Sequence, residues 1–248
     1  MVLSSLKTAP EVFARPFHWL PARVQWQNYA TVWMNEEASM LRAFANTLYI
    51  ALFSIIGQMF ISSLAAYSFA KINFKGKQVV FMLFLSSMMV PSQLTIIPRF
   101  MLFKTIGLYN NLWAIILPAF FGATSIFMLR QFYMGLPNDL IEAAKIDGAG
   151  HLRIFLRIML PLTKAALMSL IILAFISSWN EYMAPLIFLV KKELYTVSQN
   201  IQWYMLDEFK EHNLTMAAAT SAIVPVVILF IVGQKYFVEG IATSGVKG

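Results

Sequence analysis

Apolar residues run almost unbroken through five stretches of this chain, near 46 to 70, 79 to 101, 111 to 130, 162 to 190 and 216 to 237, and polar residues collect between them. A helix needs about 20 mostly apolar residues to cross the hydrocarbon core of a bilayer, so each window predicts a membrane-spanning helix. Prolines fall inside several windows, at Pro91, Pro98, Pro118, Pro185 and Pro225. Neighbouring helices can satisfy the carbonyls that a proline frees, so kinked, protein-packed spans are expected rather than straight lipid-facing anchors. No repeat of fixed period and no low-complexity tract interrupts the pattern. The pattern predicts an all-α polytopic membrane protein with five visible spans.

The longest interruption is residues 137 to 162, and it has its own punctuation. Pro137 and Asn138 end the preceding helix, and Asp139 followed by Glu142 has the spacing of a capping box. A helix of about two turns is expected from there to Asp147, with Gly148 supplying the left-handed conformation that stops it. Ala143 and Ala144 would give this helix a small face that another surface can approach, and Glu142, Lys145 and Asp147 would offer charges to that surface. Beyond the turn, Leu152, Phe155, Leu156 and Met159 recur at helical spacing, with Arg153 and Arg157 one turn apart, before Pro161 opens the next span.

Composition sharpens the class. The chain of 248 residues is 59% hydrophobic and 12% charged, far from the balance of a soluble domain, and it contains no cysteine. Disulfides, thiolate metal sites and a cysteine nucleophile are thereby excluded. The net charge of +7 is scattered between apolar spans rather than massed in one patch, which suits loops facing anionic headgroups and not nucleic acid. Short basic loops stay on the cytoplasmic side. Lys71, Lys75 and Lys77 follow the first span, and Arg130, Lys145, Arg153, Arg157 and Lys164 follow the third. With those loops inside, residues 1–43 form an extracytoplasmic N-terminal segment. Residues 44–248 form the transmembrane domain, with a cytoplasmic loop at 131–161. Residues 191 to 213 lie outside, where Asp207, Glu208 and Glu211 help outweigh the lysines, and the C-terminus is cytoplasmic. No secretory signal carries the first segment across, so a further span is expected before Met1.

Glu142-Ala143-Ala144, Gly148, and then nine residues to Ile158 with Leu160-Pro161 resemble the EAA loop of ABC importer permeases. Trp179-Asn180-Glu181-Tyr182 with Pro185 is similar to permeases of the maltose-transporter kind. So is the ending from Gln234-Lys235-Tyr236-Phe237-Val238-Glu239-Gly240 to Gly245-Val246-Lys247-Gly248. Asn46-Thr47-Leu48 and Leu64-Ala65-Ala66-Tyr67 sit where that family has its first core span. The resemblance implies a type I ABC importer transmembrane domain, with one family span missing at the N-terminus. It implies a carbohydrate permease subunit of a bacterial or archaeal plasma membrane, working by alternating access. Its partners would be a second related permease, two cytoplasmic ATP-binding subunits and an extracytoplasmic solute-binding protein. ATP and Mg would be bound by the ATPase and no cofactor by this chain, which has no P-loop, since Gly76-Lys77-Gln78 fails that pattern. The docking residues implied are Glu142, Ala143, Ala144, Lys145, Asp147 and Gly148. On the capping pattern alone Glu142 would merely complete a cap; the complete motif gives it a contact with a basic residue of the ATPase.

Other polar positions carry less. Asn180 and Glu181 lie at the edge of a span, and Gln58 lies within the first, so all three are candidates for the translocation path. Glu181 could equally meet water at the interface marked by Lys191 and Lys192, and Gly57, Ser62, Ala65 and Ala66 equally suit close helix packing. Trp26, Trp33, Trp113 and Trp203 fall near span ends, as interfacial belts predict. His18, His151 and His212 are far apart and have no companion ligands at metal spacing, and no cluster of catalytic groups stands out. The readings that compete are an importer for another solute, such as glycerol phosphate or a polyamine, and an ion-coupled secondary transporter. The latter needs intramembrane charge and has no use for a cytoplasmic Glu-Ala-Ala helix.

Overall fold

The computed structural model describes residues 1–206 and 211–245, with side chains up to Gln234. Asp207, Glu208, Lys210 and the side chains of the C-terminal motif from Lys235 onward lie outside the described residues. Among the described residues every regular element is a helix, as expected where hydrocarbon offers the backbone no hydrogen-bond partners. Three helices are long and apolar enough to cross a membrane: Met40–Lys71, Trp113–Gly135 and His212–Gln234. Two apolar helix pairs are bent at a short break, Lys77–Met89 with Ser92–Thr105 by 96° and His151–Leu162 with Lys164–Trp179 by 77°, which makes five spans if each pair is taken as one.

The breaks fall in or beside the windows at 79 to 101 and 162 to 190, where prolines predicted kinks, and are sharper than a kink. Pro91 has no amide hydrogen and disfavours helix in the residue before it. The chain accordingly leaves a short 3-10 turn at Ser87–Met89, turns extended at Val90 and restarts at Ser92. At the second break Pro161 starts a single turn, Leu160–Leu162, which stops at Thr163. The Thr163 hydroxyl donates back to the Leu160 carbonyl at 2.9 Å. The same apolar stretch breaks again after Trp179, and Pro185 falls inside a separate short helix, Met183–Phe188. The first span begins earlier than its apolar window, at Met40, so the boundary expected at residue 43 falls within it. The third span runs on to Gly135, which shortens the loop expected from 131.

The chain divides into two compact units, and the long helices contribute to both. The first comprises 1–51, 100–115 and 176–231. Buried amides and hydroxyls stitch it together: Asn200 donates to the Ala38 carbonyl at 3.1 Å, Gln199 donates to the carbonyls of Pro185 and Leu189 at 3.1 Å each, and the Val197 amide donates to the Thr47 hydroxyl at 2.9 Å. Asn46, from the Asn-Thr-Leu triplet, donates to the carbonyls of Glu193 and Tyr195 at 2.8 and 3.0 Å. These side chains satisfy the irregular backbone of 189–196, which no helix ladder serves.

The second unit comprises 52–99, 116–175 and the chain from 232 onward. Its core is one apolar cluster of Met59, Ala66 and Tyr67 with Ile126, Leu129, Tyr133 and Leu170, and it extends into the loop through Ile141, Ala144, Ile154, Phe155 and Met159. Close approach here depends on glycine. A Cβ placed on Gly57 would lie 2.2 Å from the Phe120 ring. The Gly57, Ser62, Ala65 and Ala66 stripe thus serves packing, with Ser62 and Ser63 buried. Overpacking of this kind costs about 1–3 kcal/mol. Gly57→Ala is therefore expected to lower the thermal unfolding temperature of the purified protein, whereas Gly135→Ala, where a Cβ meets nothing within 4 Å, should leave it near the parent value.

Candidate functional site

The eight-residue helix Asp139–Ile146 is anchored at both ends. Lys71, the last residue of the first span, donates to the Leu136 carbonyl and to Oδ1 of Asn138, both at 2.6 Å. Asn138 is the N-cap residue, and its carbonyl accepts the amides of Ile141 and Glu142 at 2.8 and 3.1 Å. No side-chain capping bond forms, so the expected Asp139–Glu142 capping box is absent. The helix starts one residue earlier than that box requires, which makes Asp139 the first helical residue, and Lys71 occupies the one side-chain oxygen placed to cap. The Glu142 carboxylate is consequently not consumed at the helix start.

The other end closes as expected. Gly148 has φ +77°, its amide donates to Lys145 O at 2.9 Å, and the Ala149 amide reaches Ala144 O at 2.9 Å. This 5→2 and 6→1 pair is the Schellman arrangement, which satisfies carbonyls the helix leaves open. A side chain at 148 would meet no atom within 4 Å, so its cost there is backbone strain alone, about 1–2 kcal/mol.

Burial divides the helix into two faces. Ile141 and Ala144 turn inward and join the apolar cluster of the spans. Glu142, Ala143, Lys145 and Ile146 turn outward, and Asp147 and Gly148 are exposed at its end. The expected small face of Ala143 with Ala144 is therefore corrected: adjacent helical positions stand about 100° apart, and only Ala143 is on the surface. Ile146, 88% exposed, takes the place beside it. The sequence reading missed Ile146, although it lies one turn on from Glu142 and so shares its face.

The segment after Gly150 is fastened to the same core. The Tyr67 hydroxyl and His151 Nδ1 are 3.1 Å apart, and the rings of Tyr67 and Phe155 lie 5.5 Å apart. The helix widens to a π turn over Phe155–Met159, which shifts side chains relative to α spacing. Ile154, Phe155 and Met159 are buried, while Leu152 and Leu156, expected in the apolar stripe, face outward with Arg153 and Arg157. Cations also gather at the end of the first span. Arg130 donates to the Phe69 carbonyl at 3.3 Å, and Lys77 donates to those of Ala70 and Ile72 at 3.4 and 3.0 Å. Positive charge is favourable beside the open carbonyls of a helix C-terminus.

The three candidate path residues belong to different units. Gln58, in the second, donates to the Ser125 hydroxyl at 3.0 Å and is half-buried. Asn180 and Glu181, in the first, occupy the gap between Lys164–Trp179 and Met183–Phe188. Asn180 donates to the Ile176 carbonyl at 2.8 Å, and Glu181 Oε1 accepts the Ala184 amide at 3.0 Å, holding the start of the next helix. Trp179 fixes this gap by donating to the Ala222 carbonyl at 3.0 Å.

The chain thus combines continuous and broken apolar spans with, in its second unit, a short helix whose outer face is exposed. A bacterial ABC transporter importing the acidic polysaccharide alginate has this fold: one of its chains superposes with a TM-score of 0.85 at 23% identity, over 95% of this chain and 88% of that one. This is the type I importer transmembrane domain. Residues 58–243 match the family model of binding-protein-dependent transport system inner membrane components, and the chain belongs to that family of membrane-embedded ABC importer permease subunits, which is a transport family and not a catalytic one. It is 35% identical over 228 residues to the arabinooligosaccharides transport system permease protein AraQ of Bacillus subtilis strain 168, covering 92% of this chain and 81% of the relative. The probable ABC transporter permease protein YurM of the same strain is 31% identical over 250 residues, covering 100% and 82%. The sn-glycerol-3-phosphate transport system permease protein UgpE of Escherichia coli O1:K1 / APEC is 30% identical over 240 residues, covering 94% and 85%.

Hydrogen bonds from a charged donor contribute about 1.5–3 kcal/mol, so Lys71 holds the start of the short helix with appreciable strength. Lys71→Met is expected to speed hydrogen exchange at the Ile141 and Glu142 amides by about tenfold or more, whereas Lys75→Met, on the exposed loop, should not.

Proposed function

We propose that this chain forms one half of the solute pathway of an ATP-driven sugar importer, and that the outward face of 139–148 docks on a separate ATP-hydrolysing subunit. The observation that carries this reading is the division of the short helix. Glu142, Ala143, Lys145 and Ile146 are presented outward, while Ile141 and Ala144 are locked into the core of the spans. Asp147 and Gly148 complete the docking surface at its end, and Ala144 supports it from within. A push on this helix cannot be absorbed locally, because packed protein interiors are nearly incompressible. It is passed to Tyr67, Tyr133, Met159 and Leu170, the side chains through which the spans rock between inward-facing and outward-facing states.

The loop charges support the orientation. The first and third loops, with the docking helix and the C-terminus, face the cytoplasm, and residues 1–43 and 191–213 face outward. ATP and Mg2+ are bound by the partner, present in two copies, and a second related permease supplies the other half of the pathway. A solute-binding protein delivers the sugar from outside. Asn180, Glu181 and Gln58 contribute to the path. The first two support this because they sit where a helix is interrupted within an apolar stretch, the usual place for polar groups that meet solute in a transporter. Similarity to the arabinooligosaccharide permease over most of the chain supports a sugar substrate, and similarity to UgpE favours glycerol 3-phosphate as the second reading.

Charge reversal at a packed interface costs several kcal/mol. In cells expressing the complete transporter, Glu142→Lys and Gly148→Asp should each leave a folded, membrane-inserted chain yet reduce uptake of labelled arabinooligosaccharides by at least about tenfold. Normal uptake in both variants would contradict docking through this helix, and uptake of glycerol 3-phosphate in place of sugar would establish the second reading.

A further inference from the structure

The first unit holds a feature that transport coupling does not use. Between Val12 and Trp26 the chain forms an irregular loop that exposes Phe13, Phe17, Trp19, Leu20, Val24 and Trp26, each between 51% and 75% accessible. Large apolar side chains concentrated this way mark a surface that is covered in the working protein. The loop carries Arg15, His18 and Arg23 and no acidic residue.

Its base is rigid. Lys7, 1% exposed, donates to the His18 carbonyl and sits 4.5 Å from the Phe17 ring centroid. The Glu11 carboxylate accepts the Ala22 and Thr8 amides at 2.8 and 3.3 Å, and the Gln25 amide donates to Leu6 O at 3.0 Å. Asn28 ties the carbonyls of Ser5 and Lys7 together at 2.8 and 2.9 Å. The aromatic tips are therefore displayed from a folded base rather than left over from an unfolded tail.

The loop's level along the spans follows from its contacts with the last one. Phe13 meets His212, the first residue of that helix, edge to face at 4.9 Å, and Asn213 donates to Asn28 at 3.1 Å. Trp33 donates to the Ser221 hydroxyl at 3.1 Å, about 13 Å further along the helix at 1.5 Å per residue. The loop thus lies at the end of the span, where hydrocarbon gives way to headgroups, while the helix after it runs beside the span. Tryptophan and phenylalanine favour that layer, and arginine there reaches phosphate while laying its stem along the chains.

We propose that the loop Val12–Trp26 is a lipid anchor, seated in the headgroup layer at the N-terminal end of the His212–Gly245 helix, with Arg15 and Arg23 meeting the phosphates of an anionic lipid surface. Arg15 and Arg23, with Glu11 held at the base by the Thr8 and Ala22 amides, and the loop's position at the span terminus favour lipid over a protein partner. The inference requires only that this helix crosses a bilayer, and it is indifferent to which side is cytoplasmic.

The chain has no cysteine, so a spin label can be placed alone at Leu20→Cys, with Trp19→Cys as a second site. In the assembled transporter, reconstituted in nanodiscs of phosphatidylethanolamine and phosphatidylglycerol, the label should collide with oxygen several-fold more often than with a water-soluble nickel chelate. Adding Arg15→Glu and Arg23→Glu should raise the nickel collisions. A label freely reached by nickel at both sites would overturn the anchor, as would one shielded from both quenchers, which would mean that a protein partner covers the loop.

Discussion

An eight-residue helix cannot hold its shape in water, because nucleation costs more than so few hydrogen bonds return. The helix Asp139–Ile146 therefore exists only because the spans hold it, and this dependence organises the second unit. Lys71 fixes its start from the end of the first span, a left-handed glycine closes its end, and Ile141 and Ala144 fill the core between Tyr67, Tyr133 and Met159. Its inner face is packed into the core of the spans, and its outer face is exposed.

The same accounting of backbone groups explains the first unit. Wherever this unit abandons helix, side chains take over amides and carbonyls that no helix ladder serves. Glu181 does so at the start of Met183–Phe188, Gln199 for the carbonyls of Pro185 and Leu189, and Asn46 for those of Glu193 and Tyr195. Irregular backbone is thus supported by side chains of distant segments. The second unit, by contrast, is built on close packing, with Gly57 against Phe120 and Gly122 against Gln58 both too tight for a Cβ.

Much of this was legible in the sequence because it rests on local rules. The apolar windows located the three long helices and both bent pairs, Pro137 and Gly148 bracketed the short helix, and Glu142-Ala143-Ala144 with Gly148 identified the family. What stayed hidden depends on contacts distant in the chain. Nothing near residue 138 announces that Lys71 will take its side-chain oxygen, so a capping box was expected where none forms. Ala144 and Ala143 have the same composition, and only the core behind the helix decides which is buried. Prolines signalled that spans would bend, but not that bends of 96° and 77° would divide two of them. The polar residues of 196–204 read as loop, although Gln199, Asn200 and Tyr204 are buried, because hydropathy does not register a side chain recruited to serve another segment's backbone.

On the proposed docking face of the short helix, Ile146 is a large apolar side chain left 88% exposed. In membranes holding the complete transporter, a photoactivatable crosslinker at Ile146→Cys should capture a nucleotide-hydrolysing neighbour, with a yield that changes when ATP is added. Adducts with lipid alone, or capture of no nucleotide-hydrolysing protein under any nucleotide condition, would contradict the account.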